Sequence, residues 1–241
     1  MKDRIIIARI VLFAVVLSLY SCSSLEIHQG ARDTGEVPYS QEFVASGPAV
    51  SIDGKAVDPI ELEIFASELE QEIMDEFVRK YHAVPGEGFW SHSFEGEVPI
   101  EHLLKWTVYQ AVWSRLAQEM AVEHGIRQST GLENKRQMLE EENLRRREMK
   151  EKGETIYGPE QYTLREFYPL DEQSLELALI QTLESKELLR DEGRGRDRRI
   201  HRIERMKLAF RQLIEEKMKS CRVEVNRDRF MSLISPGLPV S

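Results

Sequence analysis

The sequence contains little of what would place it at once in a structural or catalytic class. Only 2 of its 241 residues are cysteine, aromatic residues make up 8%, and there are 14 glycines and 9 prolines. These counts exclude a disulfide-stapled miniprotein, a collagen and a low-complexity chain. A composition of 41% hydrophobic and 31% charged residues is instead typical of a folded protein with a substantial core.

The chain also lacks an excess of positive charge. It carries 33 Lys and Arg against 42 Asp and Glu, which gives a formal net charge of -9. A protein that binds the phosphate backbone of nucleic acids needs a basic surface. The acidic balance therefore argues against nucleic acid as a partner.

The first 22 residues have the pattern of a bacterial export signal. Lys2, Arg4 and Arg9 give a positive start, and residues 10–20 form a run without charge. This run is short for a membrane-spanning helix but typical of the apolar part of a signal peptide. The run is closed by residues 19–22, which read LYSC and resemble a bacterial lipobox.

The resemblance to a lipobox implies both a cleavage site and a location. Residues 1–21 would be a removed signal peptide, and the sulfur of Cys22 would carry a lipid with palmitate-like acyl chains. The mature protein is then expected on the extracytoplasmic side of the bacterial cell envelope, in the periplasm, held to a membrane by its lipid. The leaflet that it faces stays open. With Cys22 lipidated, Cys221 has no partner, and we expect no intramolecular disulfide.

Composition separates a tether from a folded region. Residues 22–48 contain Ser, Gly, Pro and charged residues without a sustained apolar period, and we expect a flexible tether there. Residues 49–235 are predicted to form one helical domain. Apolar and polar residues alternate over residues 49–55, which contain Asp-Gly, and over residues 222–226, so a short strand is expected at each end of the domain.

Helical periodicity fills the interval between the two strands. Asp58 and Pro59 are suited to the start of a first helix that runs to about Tyr81, and Gly125 is suited to the end of a second. Thirteen of the twenty residues 133–152 are charged, which predicts a solvated arm helix. Later helices are expected over residues 171–192 and 197–219. The sequence thus predicts a mainly α fold, with five or six helices and a two-stranded sheet that pairs the two ends of the domain.

No catalytic constellation is evident from the motifs. Glu101-His102 and Glu123-His124 resemble the end of an H-x-x-E-H zinc motif, but positions 99 and 121 hold Pro and Ala. The chain has no G-x-S-x-G elbow and no P-loop lysine motif. We therefore expect no enzymatic activity, no metal and no cofactor.

Aromatic residues cluster on the second helix and in the loop before it. Trp106, Tyr109 and Trp113 recur at i, i+3 and i+7, which places them on one helix face. One interpretation is core packing. The other is a groove for extended apolar or aromatic segments of unfolded chains. The candidate client-binding residues are Phe89, Trp90, Phe94, Trp106, Tyr109 and Trp113.

Four short segments resemble the N-terminal domain of the SurA/PrsA type of exported chaperone and peptidyl-prolyl isomerase. Residues 50–55 (VSIDGK) followed by residues 58–61 (DPIE) are similar to the opening strand and helix of that family. Residues 121–126 (AVEHGI) resemble its A-x-x-x-G-I helix end, and residues 223–226 (VEVN) its returning strand. Glu142, Asn143 and Arg145 fall in the charged third helix.

The resemblance implies a chaperone module without an isomerase domain. The family often inserts a parvulin domain before the last helix, whereas residues 157–197 have a mostly helical pattern and are too few for that fold. No catalytic residue of the family has a counterpart here to carry over. A residual isomerase activity is therefore not expected.

The expected function is that of an ATP-independent holding chaperone anchored to a membrane. Its partners would be non-native or outer-envelope proteins, bound as unfolded or extended polypeptides. The alternative is an envelope scaffold or assembly subunit that binds one folded partner through the same aromatic face. The identity of the client and the oligomeric state stay open.

Overall fold

Elements follow one another in the predicted order, with strands at both ends and helices between them. The computed structural model describes residues 36–189 and 200–234. In this part of the chain the strands are β1 (Ser40–Phe43), β2 (Val50–Ile52), β3 (Lys55–Ala56) and β4 (Arg222–Val225). The helices are α1 (Pro59–Tyr81), α2 (Pro99–Glu123), α3 (Leu132–Glu151), α4 (Leu164–Ser185), α5 (Ile200–Met218) and α6 (Arg227–Ile234). The predicted mainly α class is confirmed.

A four-stranded sheet joins the two ends of the chain. Its strand order is β1-β4-β2-β3. β4 runs antiparallel to β2, with Val50 opposite Val225, and parallel to β1, with Ser40 opposite Arg222. The predicted pairing of N- and C-terminal strands is confirmed, but β1 and β3 enlarge the expected two-stranded sheet. β1 lies within the predicted tether, where its sequence SQEF shows no apolar alternation.

The turn between β2 and β3 is fixed by Asp53 and Gly54. Both have positive φ angles, 50° and 76°, as a two-residue hairpin turn of this hand requires. Asp53 also ties the turn to β4, because its side-chain Oδ1 accepts a hydrogen bond from the Arg222 N–H at 2.8 Å. Its own N–H donates to the Arg222 carbonyl at 2.9 Å. The Asp-Gly pair therefore positions three strands.

Helix α1 begins and ends where the sequence predicts. Oδ1 of Asp58 accepts a hydrogen bond from the Ile60 N–H at 2.9 Å, and Pro59 occupies the first turn, where no hydrogen-bond donor is needed. The helix stops at His82, which adopts the left-handed conformation with a φ of 53°. The buried face of α1 consists of Glu61, Leu62, Ile64, Phe65, Ala66, Leu69, Ile73 and Phe77.

Helix α4 begins seven residues before the predicted start at Asp171, at Leu164. Thr163 and Glu166 form a reciprocal capping box, in which the Thr163 N–H donates to Glu166 Oε2 at 2.8 Å. Pro169 lies inside the helix, near its first turn. The capping box signals this start, whereas the apolar periodicity becomes regular only beyond the proline.

The described residues fall into two compact units. The first, the sheet unit, consists of Pro38–Leu116 and residues 216–234 and contains the sheet, α1, most of α2 and α6. The second, the helical unit, lies within Ala117–Glu215 and contains α3, α4 and most of α5. The boundary between the units falls inside α2 and α5.

Both units contain buried apolar side chains. In the sheet unit the fully buried groups include Leu62, Ile73, Phe77, Leu103, Val108, Val112, Val223, Val225 and Phe230. In the helical unit the buried groups include Met120, Ala121, Leu175, Leu179, Leu183, Met206, Phe210 and Ile214. At roughly 1.5–3 kcal/mol per large side chain, this burial is the main favourable contribution to folding.

Asp58→Ala is expected to lower the free energy of unfolding by about 1 kcal/mol, because the Ile60 N–H loses its acceptor. Asp58→Asn is the matched control, since its side-chain oxygen can still accept that bond. Chemical denaturation of both variants measures the difference. Equal stability of Asp58→Ala and the unaltered chain would contradict a role for this cap.

Candidate functional site

The six aromatic residues predicted to bind clients all belong to the sheet unit, and five of them are buried. Phe94 is half-buried. The exposed fractions of the others are 3% for Phe89, 8% for Trp90, 4% for Trp106, 1% for Tyr109 and 3% for Trp113. Of the two interpretations that the sequence left open, this burial favours core packing.

The aromatic residues of the loop pack around one ring of α1. The ring of Phe77 lies 6.2 Å from that of Phe89 and 5.6 Å from that of Phe94, both edge to face. Phe89 in turn lies 5.3 Å from Trp90. These separations are typical of favourable aromatic pairs. The loop aromatics therefore fix the connection between α1 and α2.

The aromatic residues of α2 form a continuous row. The ring of Tyr109 lies 5.6 Å from that of Trp106 and 6.3 Å from that of Trp113. The predicted i, i+3, i+7 face therefore exists. It is covered in the folded chain instead of forming an open groove.

One aromatic residue reaches this row from the segment that the sequence assigns to the tether. Tyr39 directly precedes β1 and is 7% exposed. Burial, and to a lesser degree the phenol of Tyr109, raises the pKa of the Tyr39 hydroxyl above its ordinary range. Among the described residues, no group hydrogen-bonds to that hydroxyl. An aromatic side chain from an extended segment thus lies buried near one member of the predicted client face.

The strand that follows Tyr39 is held through its backbone. None of the four residues of β1 is buried, and Phe43 is 60% exposed. The backbone N–H of Val44 donates to the carbonyl of Val225 at 3.0 Å, continuing the parallel pairing with β4. Backbone pairing carries little sequence information, because every residue except proline offers the same donor and acceptor. We call the side of β4 that pairs with β1 the β4 edge.

Side chains add little to the hold on β1. Arg222 lies 3.2 Å from Glu42 and 2.9 Å from Glu224, but Arg222 and Glu42 are more than half exposed. Exposed ion pairs of this kind contribute about 0–1 kcal/mol. Tyr39 is therefore the main side-chain anchor of a segment that otherwise binds by its main chain.

The helical unit contains a group of buried charged side chains that the sequence did not predict. Lys135 of α3 is 1% exposed, and its Nζ lies 2.8 Å from Oδ2 of Asp171 on α4. The guanidinium of Arg127 binds the same carboxylate, with Nη1 at 3.0 Å from Oδ2. Lys135 also contacts Glu172 and lies 4.0 Å from the centre of the Tyr168 ring. We call Arg127, Lys135, Asp171 and Glu172 the buried charge cluster.

The members of this cluster keep one another charged. Burial alone would lower the pKa of Lys135, but Glu172 and Asp171 outweigh burial and raise it. Burial would likewise raise the pKa of Asp171, but Lys135 and Arg127 outweigh burial and lower it. Two cations face two carboxylates, so the cluster fastens α3 to α4 as a set of compensated charges.

Helix α3 is therefore not the solvated arm that its charge density predicts. Besides Lys135, Arg146 is buried, and its guanidinium donates to the carbonyls of Tyr157 and Pro159 at 3.1 and 2.6 Å. It also lies 4.2 Å from the centre of the Tyr162 ring. Counting charges cannot distinguish these two buried cations from the exposed ones beside them. Within α3, the Nε of Arg146 also lies 2.9 Å from Oε1 of Glu142, one turn earlier.

One carboxyl group near the cluster titrates close to neutral pH. Glu176 is half-buried on α4, one turn after Glu172. Burial raises its pKa to about 7, and Glu172 also raises it, while Lys207 and Arg211 act in the opposite direction. The helical unit therefore contains a group whose charge changes within the physiological range.

The histidine pairs that resemble part of a zinc motif are not brought together with further ligands. His102 lies 3.1 Å from Glu97 and 3.9 Å from Glu76, beside the ring of Phe77. Burial lowers the pKa of His102, while Glu76 and Glu97 act against that effect. In residues 36–189 and 200–234, no group of three His, Cys, Asp or Glu is placed to hold a metal ion.

Comparison with known proteins finds no match among family models, curated proteins or solved structures.

Cys22, the predicted lipidation site, and the predicted signal peptide lie outside the described residues. Within the described part of the chain, every helix falls short of the length or apolar character that a membrane span requires.

Asp171→Asn is expected to destabilise the chain by about 3 kcal/mol near neutral pH, because it leaves Arg127 and Lys135 without a full counter-charge. Because the folded-state pKa of Asp171 is lowered, its stabilising effect is present above the ordinary pKa and is lost as the pH falls through the lowered value. The difference between the variant and the unaltered chain should therefore shrink in acid.

Glu160→Gln is the matched control for Asp171→Asn, because it breaks the Lys150–Glu160 pair, in which both side chains are exposed. We expect it to cost less than about 1 kcal/mol. Denaturation curves of both variants at several pH values measure these effects. Equal losses from the buried and the exposed pair would contradict the role of the buried charge cluster.

Glu176→Gln is expected to remove a pH dependence of stability. The folded chain binds a proton at Glu176 that the unfolded chain releases, so the free energy of unfolding should fall as the pH rises from 4.5 to about 7. The fall is at most about 3 kcal/mol and is reduced by partial exposure.

Urea unfolding of the unaltered chain, Glu176→Gln and the control Glu140→Gln across that range measures the slope. Glu140 is exposed on α3. An unchanged slope in Glu176→Gln would show that another group causes the pH dependence.

Proposed function

We propose that the protein is a lipid-anchored, extracytoplasmic holding chaperone that binds extended segments of non-native polypeptides without ATP. One observation carries the proposal. The chain holds a short extended segment of its own, with its backbone on the β4 edge and the ring of Tyr39 buried near Tyr109. A site that holds one extended segment in this way has the chemistry to hold another.

The way in which β1 is held on the β4 edge supports binding to a broad range of clients. Main-chain pairing on a sheet edge accepts most sequences, and the burial of a single aromatic ring adds a modest preference. None of the four side chains of β1 is buried. A binder built in this way recognises an extended conformation together with one large apolar side chain, which unfolded chains expose and folded proteins hide.

The proposed mechanism is passive. Binding at the β4 edge would cover an exposed segment of the client. Without residues 1–21, which carry a net charge of +2, the net charge would be -11 (-9 minus +2), and it would oppose association between loaded complexes. The lipid on Cys22 would confine the activity to the membrane surface where exported chains emerge. The resemblance to the SurA/PrsA type of chaperone supports the same location and class of client.

The proposal is tested by the aggregation of an unfolded model client. The purified full-length chain in detergent is expected to reduce light scattering by a chemically unfolded client at an equimolar ratio, without ATP. A detergent-matched solution of an unrelated acidic lipoprotein is the control. Scattering equal to that of the control would contradict the chaperone proposal.

Capture from membranes separates this function from the alternative of a scaffold. A chaperone should retain many newly exported proteins in small amounts, in an unfolded state. A single folded partner retained in stoichiometric amount would instead favour the scaffold.

A further inference from the structure

We propose that the segment of residues 38–44 is a built-in competitor that occupies the client site in the resting protein and leaves it when a client binds. This inference rests on the proposed function and names both occupants of the same site. The resting occupant is the chain's own segment. The second occupant is an extended polypeptide that carries an aromatic side chain at the position of Tyr39.

β4 is packed into the sheet unit more firmly than β1, the strand that occupies its edge. Val223 and Val225 of β4 are fully buried, and β4 also pairs with β2 on its other side. Among the described strands, β1 pairs with β4 alone, and none of its four side chains is buried. Removing β1 would therefore expose a formed edge without dismantling the rest of the sheet.

The anchor of the resting segment is imperfect. The hydroxyl of Tyr39 is buried, and no described group hydrogen-bonds to it. A buried hydroxyl without a partner weakens binding, because the group gives up its hydrogen bonds to water. A phenylalanine in place of Tyr39 keeps the apolar contact without that cost. A client with Phe at this position is therefore expected to bind better than the chain's own sequence.

The short link between β1 and β2 explains why residues 38–44 still occupy the site in the resting protein. β1 leads into β2 through residues 44–49, so the segment stays close to the β4 edge even when released. Short links of this kind give an effective concentration in the millimolar range. A free peptide of equal intrinsic affinity is therefore excluded until it reaches a similar concentration, whereas a better one can displace the segment.

Val44→Pro tests the competition directly. Proline lacks the N–H that Val44 donates to the Val225 carbonyl, so the resting segment should be held more weakly. Ala45→Pro is the matched control, because Ala45 is exposed and lies outside β1. The probe is a fluorescent peptide with the sequence of residues 38–44, titrated against each full-length chain in detergent and followed by fluorescence polarisation.

We expect Val44→Pro to bind the probe roughly two- to tenfold more tightly than the unaltered chain, and Ala45→Pro to bind it like the unaltered chain. A probe with Phe in place of Tyr39 should bind roughly tenfold more tightly than the original probe to every chain. Equal affinities of the three chains would overturn the inference. Weaker binding by Val44→Pro would also overturn it, by placing the peptide on the outer side of β1.

A reversible lock provides a second measurement, should Val44→Pro fold poorly. Glu42 and Glu224 are register partners in β1 and β4, so cysteines at both positions can form a disulfide that holds the segment in place. The lock is made in a chain that also carries Cys221→Ser. Oxidation should reduce probe binding at least tenfold, and reduction should restore it. Unchanged binding after oxidation would overturn the inference.

The two proposals fail in different ways. If the locked chain still suppresses client aggregation, the protein is a chaperone whose client site lies away from the β4 edge, and only this inference falls. If the unlocked chain binds the probe but suppresses no aggregation, the competition is real and the chaperone function falls.

Discussion

The sheet unit depends on one constraint, which is that β4 must lie between β1 and β2. Among the described residues, β4 is the only strand that joins the last part of the chain to the first, and its buried residues Val223 and Val225 close the apolar interior beneath the sheet. The N–H of Asn226 extends the contact by donating to the Ala49 carbonyl at 2.9 Å. Without β4, β1 would have no partner strand among the described residues, and the proposed client site would not exist.

The helical unit relies on compensated charge to a greater extent. Lys135 and Asp171 could not be buried singly, since an isolated charge in an apolar interior costs several kcal/mol. Together with Arg127 and Glu172 they fix one arrangement of α3 on α4. Burial of Glu176 nearby outweighs the opposing effect of Lys207 and Arg211 and raises its pKa to about 7. One helix thus carries both a charge locked by its neighbours and a charge that responds to pH.

Local chemistry and the pairing of the two terminal strands were predictable from the sequence, whereas the buried charge pairs and β1 were not. The Asp58 cap, the Asp53-Gly54 turn and the aromatic face of α2 follow from residues close together in the chain. Lys135 looks like its charged neighbours, because only its distance from Asp171 in space distinguishes it. β1 could not be predicted for another reason. It is held by backbone hydrogen bonds, which leave no side-chain pattern in the sequence.

The position of β4 near the end of the chain has a consequence for the order of folding. Ser51 hydrogen-bonds to Glu224 across a separation of 173 residues, and contacts of such long range form late and slowly. During synthesis from the N-terminus, only the β2–β3 hairpin of the sheet can form before β4 is made. A chain that ends before Arg222 would therefore lack the strand that pairs with both β1 and β2.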